Sequence, residues 1–502
     1  MSSGGSTWRA YWERDEFSQM KKAIVIKSLI YKTVERFSVK GLGFIISILL
    51  ARLLSPDAFG QIAIVTVFVN LSQSIIEGGL GTALVQSREV DDRDYSTVFY
   101  ICMAMAAVMT GIIYLAAPLV AGYYSSPEIL SPLRVYAFSG FFSSYDSILT
   151  AKIQREMRFR QMMVCSLAAT IISGSLAVAI AFAGAGIWTL VVYYFSHTVI
   201  SCFAMMIAVR WAPKLSFSVK RAKELYSFGW KMLAATIMRS IYSDIRSLII
   251  GKRFSTADLG YYDRGQQFPM VITLALEEAV QSVMFPVLAK AQDDKGQMQG
   301  IMKRTLCLGS LMVFPAMIGL AAISEPLVRL LLTDKWLPCV PFMQIICIAQ
   351  VPFIVSTSNL VPIKAMGRSD IYMKLEFFRR AAMLIVLIVT VVFFHSVRAI
   401  AYGYALSAWL DVFIVSIPNR RFFGYGVWGQ IKDTWKIFAA SVIMGAAVLA
   451  INYIPISVIF KLLIQIFCGV VVYMAMCRIL KVDIFMYALD MLKKLFKGEK
   501  LD

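Results

Sequence analysis

Arg239 and Arg246 lie seven residues apart in an otherwise apolar stretch, a spacing that puts both on one face of a helix. Thr236, Ser240, Ser243 and Ser247 extend that face, Asp244 falls on a neighbouring one, and Arg264 opens the next apolar stretch. A guanidinium presents a planar fork that matches phosphate or carboxylate. Three of them in apolar surroundings therefore suit an anionic substrate in a water-filled cavity. Other ionisable side chains sit in similar stretches: Arg134, Arg379 and Arg380 among the cations, and Glu77, Asp146, Glu277 and Asp411 among the acids. Asn70, Gln73 and Glu77 follow one another at i, i+3 and i+7 and form one polar stripe, fit for coupling or for lining the same cavity. Salt bridges between helices are the competing use for each of these groups.

Other chemistries lack their residues. There is no G-x-x-x-x-G-K-[ST] loop for ATP, no H-E-x-x-H and no nucleophile elbow. The eight cysteines are scattered singly, without a C-x-x-C, and read as packing residues rather than metal ligands or disulfides. The two histidines, His197 and His395, stand alone, and His197 reads as structural. No catalytic residue, metal or cofactor is expected, and the chain reads as a non-enzyme.

The elements that position these residues are membrane helices. Of the 502 residues 59% are hydrophobic and the mean hydropathy is +0.69. The apolar residues come in blocks of about 20, the length of a bilayer-spanning helix. Fourteen spans are predicted, near 28–51, 61–86, 97–120, 132–151, 161–182, 186–208, 230–250, 260–288, 303–322, 338–363, 374–395, 399–418, 435–453 and 456–477. The first is overlong and starts as a surface helix. No cleavable signal peptide is expected, because the first 20 residues are polar. The net charge of +19 excludes little by itself, but its placement is informative. With the N-terminus inside, 36 of the 50 Lys and Arg fall on inner segments, counting Lys32, Arg36 and Lys40 of the surface start of the first span, and 6 on outer loops. That asymmetry predicts cytoplasmic N- and C-termini and makes nucleic acid an unneeded partner. The outer loops are short, leaving no room for an external catalytic domain.

One stretch occurs twice. Ala51–Gly60 (ARLLSPDAFG) returns as Gly251–Gly260 (GKRFSTADLG), so that Ser55 falls on Ser255 and Gly60 on Gly260, and Glu77 still falls on Glu277. Pro118-Leu119-Val120 echoes as Pro326-Leu327-Val328, and Lys152 as Lys364. Such repeats mark transporters built from two related bundles. The expected fold is an all-α polytopic membrane protein with about fourteen helices. It would comprise a polar segment (1–27), a six-helix bundle (28–210), a cytoplasmic linker (211–229), a second six-helix bundle (230–420), two further helices (421–480) and a cytoplasmic tail (481–502). The tail carries an amphipathic stripe suited to the anionic inner leaflet. Lys152, Arg155, Lys364 and Arg368, at the inner ends of corresponding spans, read as a cytoplasmic gate. Gly78-Gly79 with Gly81 reads first as a close helix contact and second as a helix break.

LARLLSPDAFGQIAI followed by EGGLGTALVQ resembles the first hairpin of the Wzx-type polysaccharide flippases, of the multidrug/oligosaccharidyl-lipid/polysaccharide exporter superfamily. VMFPVLAKAQDD at Val283–Asp294 and LLLTDKW at Leu330–Trp336 are similar to its colanic-acid and teichuronic-acid exporter branch. The resemblance spans about Lys32 to Lys481. It implies two pseudo-symmetric six-helix bundles plus two helices, with alternating access around a central cavity. It also implies a cargo of undecaprenyl-diphosphate-linked oligosaccharide in the bacterial inner membrane, with membrane lipids, a polysaccharide polymerase and chain-length machinery as partners. The alternative within the superfamily is a cation-coupled multidrug exporter, for which an acidic, aromatic cavity is expected.

Overall fold

The computed structural model describes residues 15–87, 90–291, 294–487 and 489. The polar leader before Asp15 and four of the seven residues of the predicted tail stripe, Ala488, Leu492, Leu495 and Phe496, lie outside them. Among the described residues all regular structure is helical. The chain divides into two compact units, Met1–Leu259 and Gly260–Asp502. The first holds α1 (Asp15–Leu53), α2 (Pro56–Glu77), α3 (Leu80–Gln86), α4 (Asp92–Tyr123), α5 (Leu130–Ala137), α6 (Ser139–Arg155), α7 (Phe159–Phe182), α8 (Ile187–Val209), α9 (Val219–Arg253) and the start of α10 (Thr256–Lys290). The second holds the rest of α10, α11 (Lys295–Ala322), α12 (Ser324–Leu331), α13 (Val340–Gln350), α14 (Phe353–Ala365), α15 (Ser369–Phe393), α16 (Val397–Phe423), α17 (Val427–Ala450) and α18 (Val458–Ile479). Nine of the segments, among the described residues, are long and apolar enough to cross a membrane, and this is a multi-pass membrane protein. The other predicted spans, 28–51, 132–151, 230–250, 260–288 and 374–395, are helical too. The last four of these carry most of the arginines and acids singled out above, which lower their hydropathy.

The repeat is visible in how helices start and stop. The Ser55 hydroxyl accepts the Ala58 N–H at 3.3 Å, and the Ser255 hydroxyl accepts the Asp258 N–H at 3.0 Å. Each serine thus caps the helix that follows, satisfying a backbone donor that has no partner inside the helix. Just upstream, the Leu54 N–H meets the Leu50 carbonyl at 2.9 Å and the Phe254 N–H the Ile250 carbonyl at 3.0 Å. Gly60 is required by a close approach, since a Cβ there would overlap the Thr256 backbone. Asp91 and Asp294 cap α4 and α11 in the same manner, accepting the N–H of Asp94 at 2.8 Å and of Gln297 at 3.0 Å.

Further along, α6 and α14 end in the same turn. Met157 (φ 54°) and Gly367 (φ 69°) are left-handed, and the N–H groups of Arg158 and Arg368 reach the carbonyls of Ile153 (3.0 Å) and Ile363 (3.3 Å). The next helix pair keeps this 210-residue offset, α8 starting at Ile187 and α16 at Val397. The register corrects the sequence reading: Lys364 is the counterpart of Gln154, not of Lys152, and Arg368 that of Arg158. The proline echo is not structural either, because Pro118 lies inside the continuous α4 and Pro326 opens the short α12.

In the first unit Ile76, Leu80, Leu84, Val98, Cys102, Ile148, Leu149 and Ile153 pack into one apolar cluster. α9 lies along α2 and α3. The segment before α9 is strapped to α4. The Lys214 N–H binds the Ser96 hydroxyl (3.0 Å), the Ser218 N–H binds that of Thr97 (3.1 Å), and Arg221 grips Asp94 through two 2.8 Å contacts. In the second unit a fully buried amide cluster joins α14, α16 and α17. Asn359 and Gln430 exchange two hydrogen bonds of 2.9 Å, and the Asn419 amide donates to Asn359 Oδ1 at 2.6 Å. Asn359→Ala leaves both partners short of hydrogen bonds, at a cost of about 1–3 kcal/mol. We expect its melting temperature in detergent to fall clearly below that of Ser407→Ala, whose hydroxyl bonds only the Tyr404 carbonyl of its own helix. Equal melting temperatures would show the cluster to be dispensable.

Candidate functional site

Within the first unit two of the predicted acids, Glu77 and Asp146, meet in a cavity of about 310 Å³, lined also by Ser143, Ser147, Thr150, His197, Thr198 and Ser201. Three elements build it. Glu77 is the last residue of α2, and the chain then leaves the helix through Gly78 and Gly79, both left-handed (φ 55° and 69°). The doublet is therefore a helix break, the second of the two uses read from sequence, while close packing falls to Gly81, whose Cβ would sit 3.0 Å from the Ser147 hydroxyl. On α6, Ser143, Asp146, Ser147 and Thr150 recur at helical spacing and form one wall. On α8, His197 and Ser201 are one turn apart and form the other. Ser201 donates to Asp146 Oδ1 at 3.1 Å, and the His197 Nε2 lies 3.4 Å from the Thr170 hydroxyl. Among the described residues no lysine or arginine is paired with either carboxylate.

His197 and the five hydroxyls are the residues that sequence reasoning missed. The signal for Ser143, Ser147 and Thr150 was their recurrence at helical spacing around Asp146 on α6; Thr198 and Ser201 of α8 carried no such signal. His197, a lone histidine in sequence, stands on the cavity wall. The rest of the predicted polar stripe is divided: Gln73 donates to the Ser139 hydroxyl at 3.1 Å, and Asn70 is exposed.

None of the predicted arginines whose side chains are described lines this cavity. Arg246 is buried in the first unit and Arg264 in the second, whereas the side chain of Arg239 lies outside the described residues. Arg264 hydrogen-bonds Gln267 and lies 5.9 Å over the Trp336 ring. Asp244 and Glu277 are partly buried on α9 and α10. Arg134 sits 4.2 Å over the Tyr114 ring and donates to the Tyr114 carbonyl, tying α5 to α4. Arg379 is held between Asp411, which accepts from Nε and from Nη2 (3.0 Å), and Glu376 (2.6 Å); Arg380 bonds Glu376 at 3.3 Å. These two are engaged in ion pairs within the second unit, the competing use weighed from sequence.

The four gate residues have unequal surroundings. Lys152 lies 3.6 Å from Asp92 and faces the rings of Tyr95 and Trp211. Arg155 donates to the carbonyls of Leu84 (2.8 Å), Val85 (3.3 Å) and Ser87 (2.5 Å), closing the C-terminal end of α3. Lys364 lies 4.7 Å over Tyr372, and Arg368 pairs with exposed Asp370 at 3.0 Å. Arg155→Ala removes charge-assisted bonds to carbonyls at a helix end, whereas Arg368 takes part in a surface pair worth little. The yield of detergent-stable protein should therefore drop for Arg155→Ala and hold for Arg368→Ala; the reverse order would refute this assignment.

Comparison with known proteins agrees with the fold. The family described as polysaccharide biosynthesis protein matches residues 49–341. The chain is 24% identical over 349 residues to the succinoglycan biosynthesis transport protein ExoT of Rhizobium meliloti (strain 1021), covering 69% of this chain and 70% of that one. It is 23% identical over 307 residues to the teichuronic acid biosynthesis protein TuaB of Bacillus subtilis (strain 168), covering 60% and 62%. The solved structure of the lipid II flippase MurJ in an inward closed conformation has the same fold: TM-score 0.75 at 15% identity, covering 91% of this chain and 99% of that one. The family match extends over more than half of the sequence, and the chain belongs to the polysaccharide biosynthesis protein family.

Proposed function

We propose that this protein carries an undecaprenyl-diphosphate-linked oligosaccharide from the inner to the outer leaflet of the bacterial inner membrane, by alternating access, for exopolysaccharide, capsule or lipopolysaccharide assembly. The observation that carries the reading is the family match over residues 49–341. The names of the relatives, succinoglycan transport and teichuronic acid synthesis, point to the same class of cargo. The chain acts as a transporter rather than an enzyme, with fourteen spans in two related bundles plus two helices and with both termini cytoplasmic. A polysaccharide polymerase and chain-length machinery would receive the product. Export of cationic drugs is the second reading. The acidic cavity of the first unit favours it, and the polysaccharide relatives weigh against it.

A diphosphate with its sugars cannot enter hydrocarbon unaided, because burying charge and hydroxyls without partners is too costly. A wet, cationic cleft removes that cost while the lipid tail stays in the bilayer. Arg239 and Arg246, on one face of α9, and Arg264 are the residues we assign to the cleft. Arg134, Arg379 and Arg380 would then serve mainly to hold helices together.

The loss of one charge-assisted contact costs about 1.5–3 kcal/mol, roughly a tenfold to hundredfold weakening. Arg239→Ala and Arg246→Ala should lower surface polysaccharide in a strain lacking its own flippase, normalised to detergent-stable protein, and lysine should restore part of it. Full export by a well-folded Arg239→Ala/Arg246→Ala double variant would contradict the assignment.

A further inference from the structure

The two units contain the same buried contact with its residues exchanged. At the 210-residue offset set by the α6 and α14 turns, Asp146 corresponds to Ser356 and Ser201 to Asp411. In the first unit Ser201 on α8 donates to Asp146 on α6 at 3.1 Å; in the second, Ser356 on α14 donates to Asp411 on α16 at 2.7 Å. One carboxylate and one hydroxyl thus meet at equivalent places, each supplied by the opposite helix.

What surrounds the carboxylate differs. Asp411 is gripped through Nε and Nη2 by Arg379, which also bonds Glu376. The same offset turns Arg379 into Ala169 and Glu376 into Ser166. Among the described residues Asp146 therefore has no built-in guanidinium, yet it lies in a cavity with a second carboxylate, Glu77. Among the described residues the ionisable neighbours on the packed elements are Cys102 beside Glu77, Cys165 and Cys202 beside Asp146, and His197 on the wall. Of these only His197 can carry positive charge.

The backbone differs in the same sense. α2 stops at Glu77, and the C-terminal end of a helix carries partial negative charge that favours a cation; interrupted membrane helices are a recurrent source of ion ligands. At the corresponding place in the second unit α10 runs on past Glu277 to Lys290 without a break. Five hydroxyls complete the cavity wall, and oxygen donors suit hard cations.

We propose that the cavity of the first unit binds a small cation, Na⁺ or a proton, held by Glu77, Asp146 and the surrounding hydroxyls, and that Arg379 supplies this positive charge permanently in the second unit. The protein would then take up one exchangeable cation, in one unit only. The inference goes beyond the cargo and does not depend on it.

The test uses the purified full chain and no cargo. Its thermal unfolding is followed while NaCl replaces choline chloride at constant ionic strength, from about pH 5 to about pH 8, across the carboxylate and histidine range. With Na⁺ as the ion, the melting temperature of the unsubstituted protein rises saturably with Na⁺ at the upper pH, as for any ligand that binds the folded state alone. Asp146→Asn and Glu77→Gln, which keep the shape of the site, raise the half-saturating Na⁺ concentration by about tenfold or more, a loss of about 1.4 kcal/mol. With a proton as the ion, Na⁺ has no effect and melting depends on pH in the unsubstituted protein, a dependence reduced in the same two variants. Ala169→Arg copies the second unit and should unfold with neither response. Ala169 is fully buried, so if that variant does not fold, the two carboxamide variants decide. The proposal is overturned if the unsubstituted protein responds to neither ion or if both carboxamide variants keep its full response.

Discussion

Charge inside a bilayer must be neutralised by a partner or kept wet by a cavity, because an uncompensated ion in hydrocarbon is too costly to hold. This chain meets the constraint in two ways. In the second unit Arg379, Asp411, Glu376 and Arg380 form a closed ion-pair set across α15 and α16. In the first, Glu77 and Asp146 share a polar cavity whose only fixed hydrogen bond to Asp146, among the described residues, comes from Ser201. The helix break after Glu77 at Gly78-Gly79, the hydroxyl face of α6 and His197, Thr198 and Ser201 of α8 together frame that cavity beside an apolar cluster.

The repeat explains why both solutions occur in one molecule. Two copies of a helical unit start from the same caps, Ser55 and Ser255, then Asp91 and Asp294, and end α6 and α14 in the same left-handed turn. These devices act locally on the backbone and tolerate wide change elsewhere. Side chains facing the interior were free to diverge, so one copy could hold its charge internally while the other left room for an exchangeable ion. An asymmetry of this kind suits a transporter in which one half senses an ion while the other holds its helices firmly.

Much of this was legible in the sequence. The apolar blocks announced a helical membrane protein, and Ser55 with Ser255 announced the repeat, because capping serines and close-approach glycines depend on local backbone geometry alone. Glu77, Asp146 and the arginines were legible as candidates for a similar reason: ionisable groups stand out against apolar sequence. Register was harder. Lys152 and Lys364 look alike, yet the turns align Arg158 with Arg368, because hydrogen-bonded geometry rather than residue identity defines the equivalence. The pairing of Arg379 with Asp411, 32 residues away, depends on how two helices face each other. So does the place of His197 on the cavity wall. No periodicity within a single helix specifies such a meeting.

The account stands or falls on cargo movement. Purified protein would be reconstituted into liposomes with lipid-linked oligosaccharide extracted from the native bacterium, and the sugar exposed on the outer leaflet measured by its cleavage with an added, membrane-impermeant glycosidase. The account predicts that cleavage proceeds beyond the outer-leaflet fraction towards completion with protein present, and stops at that fraction in protein-free liposomes. Identical plateaus with and without a correctly folded protein would contradict it.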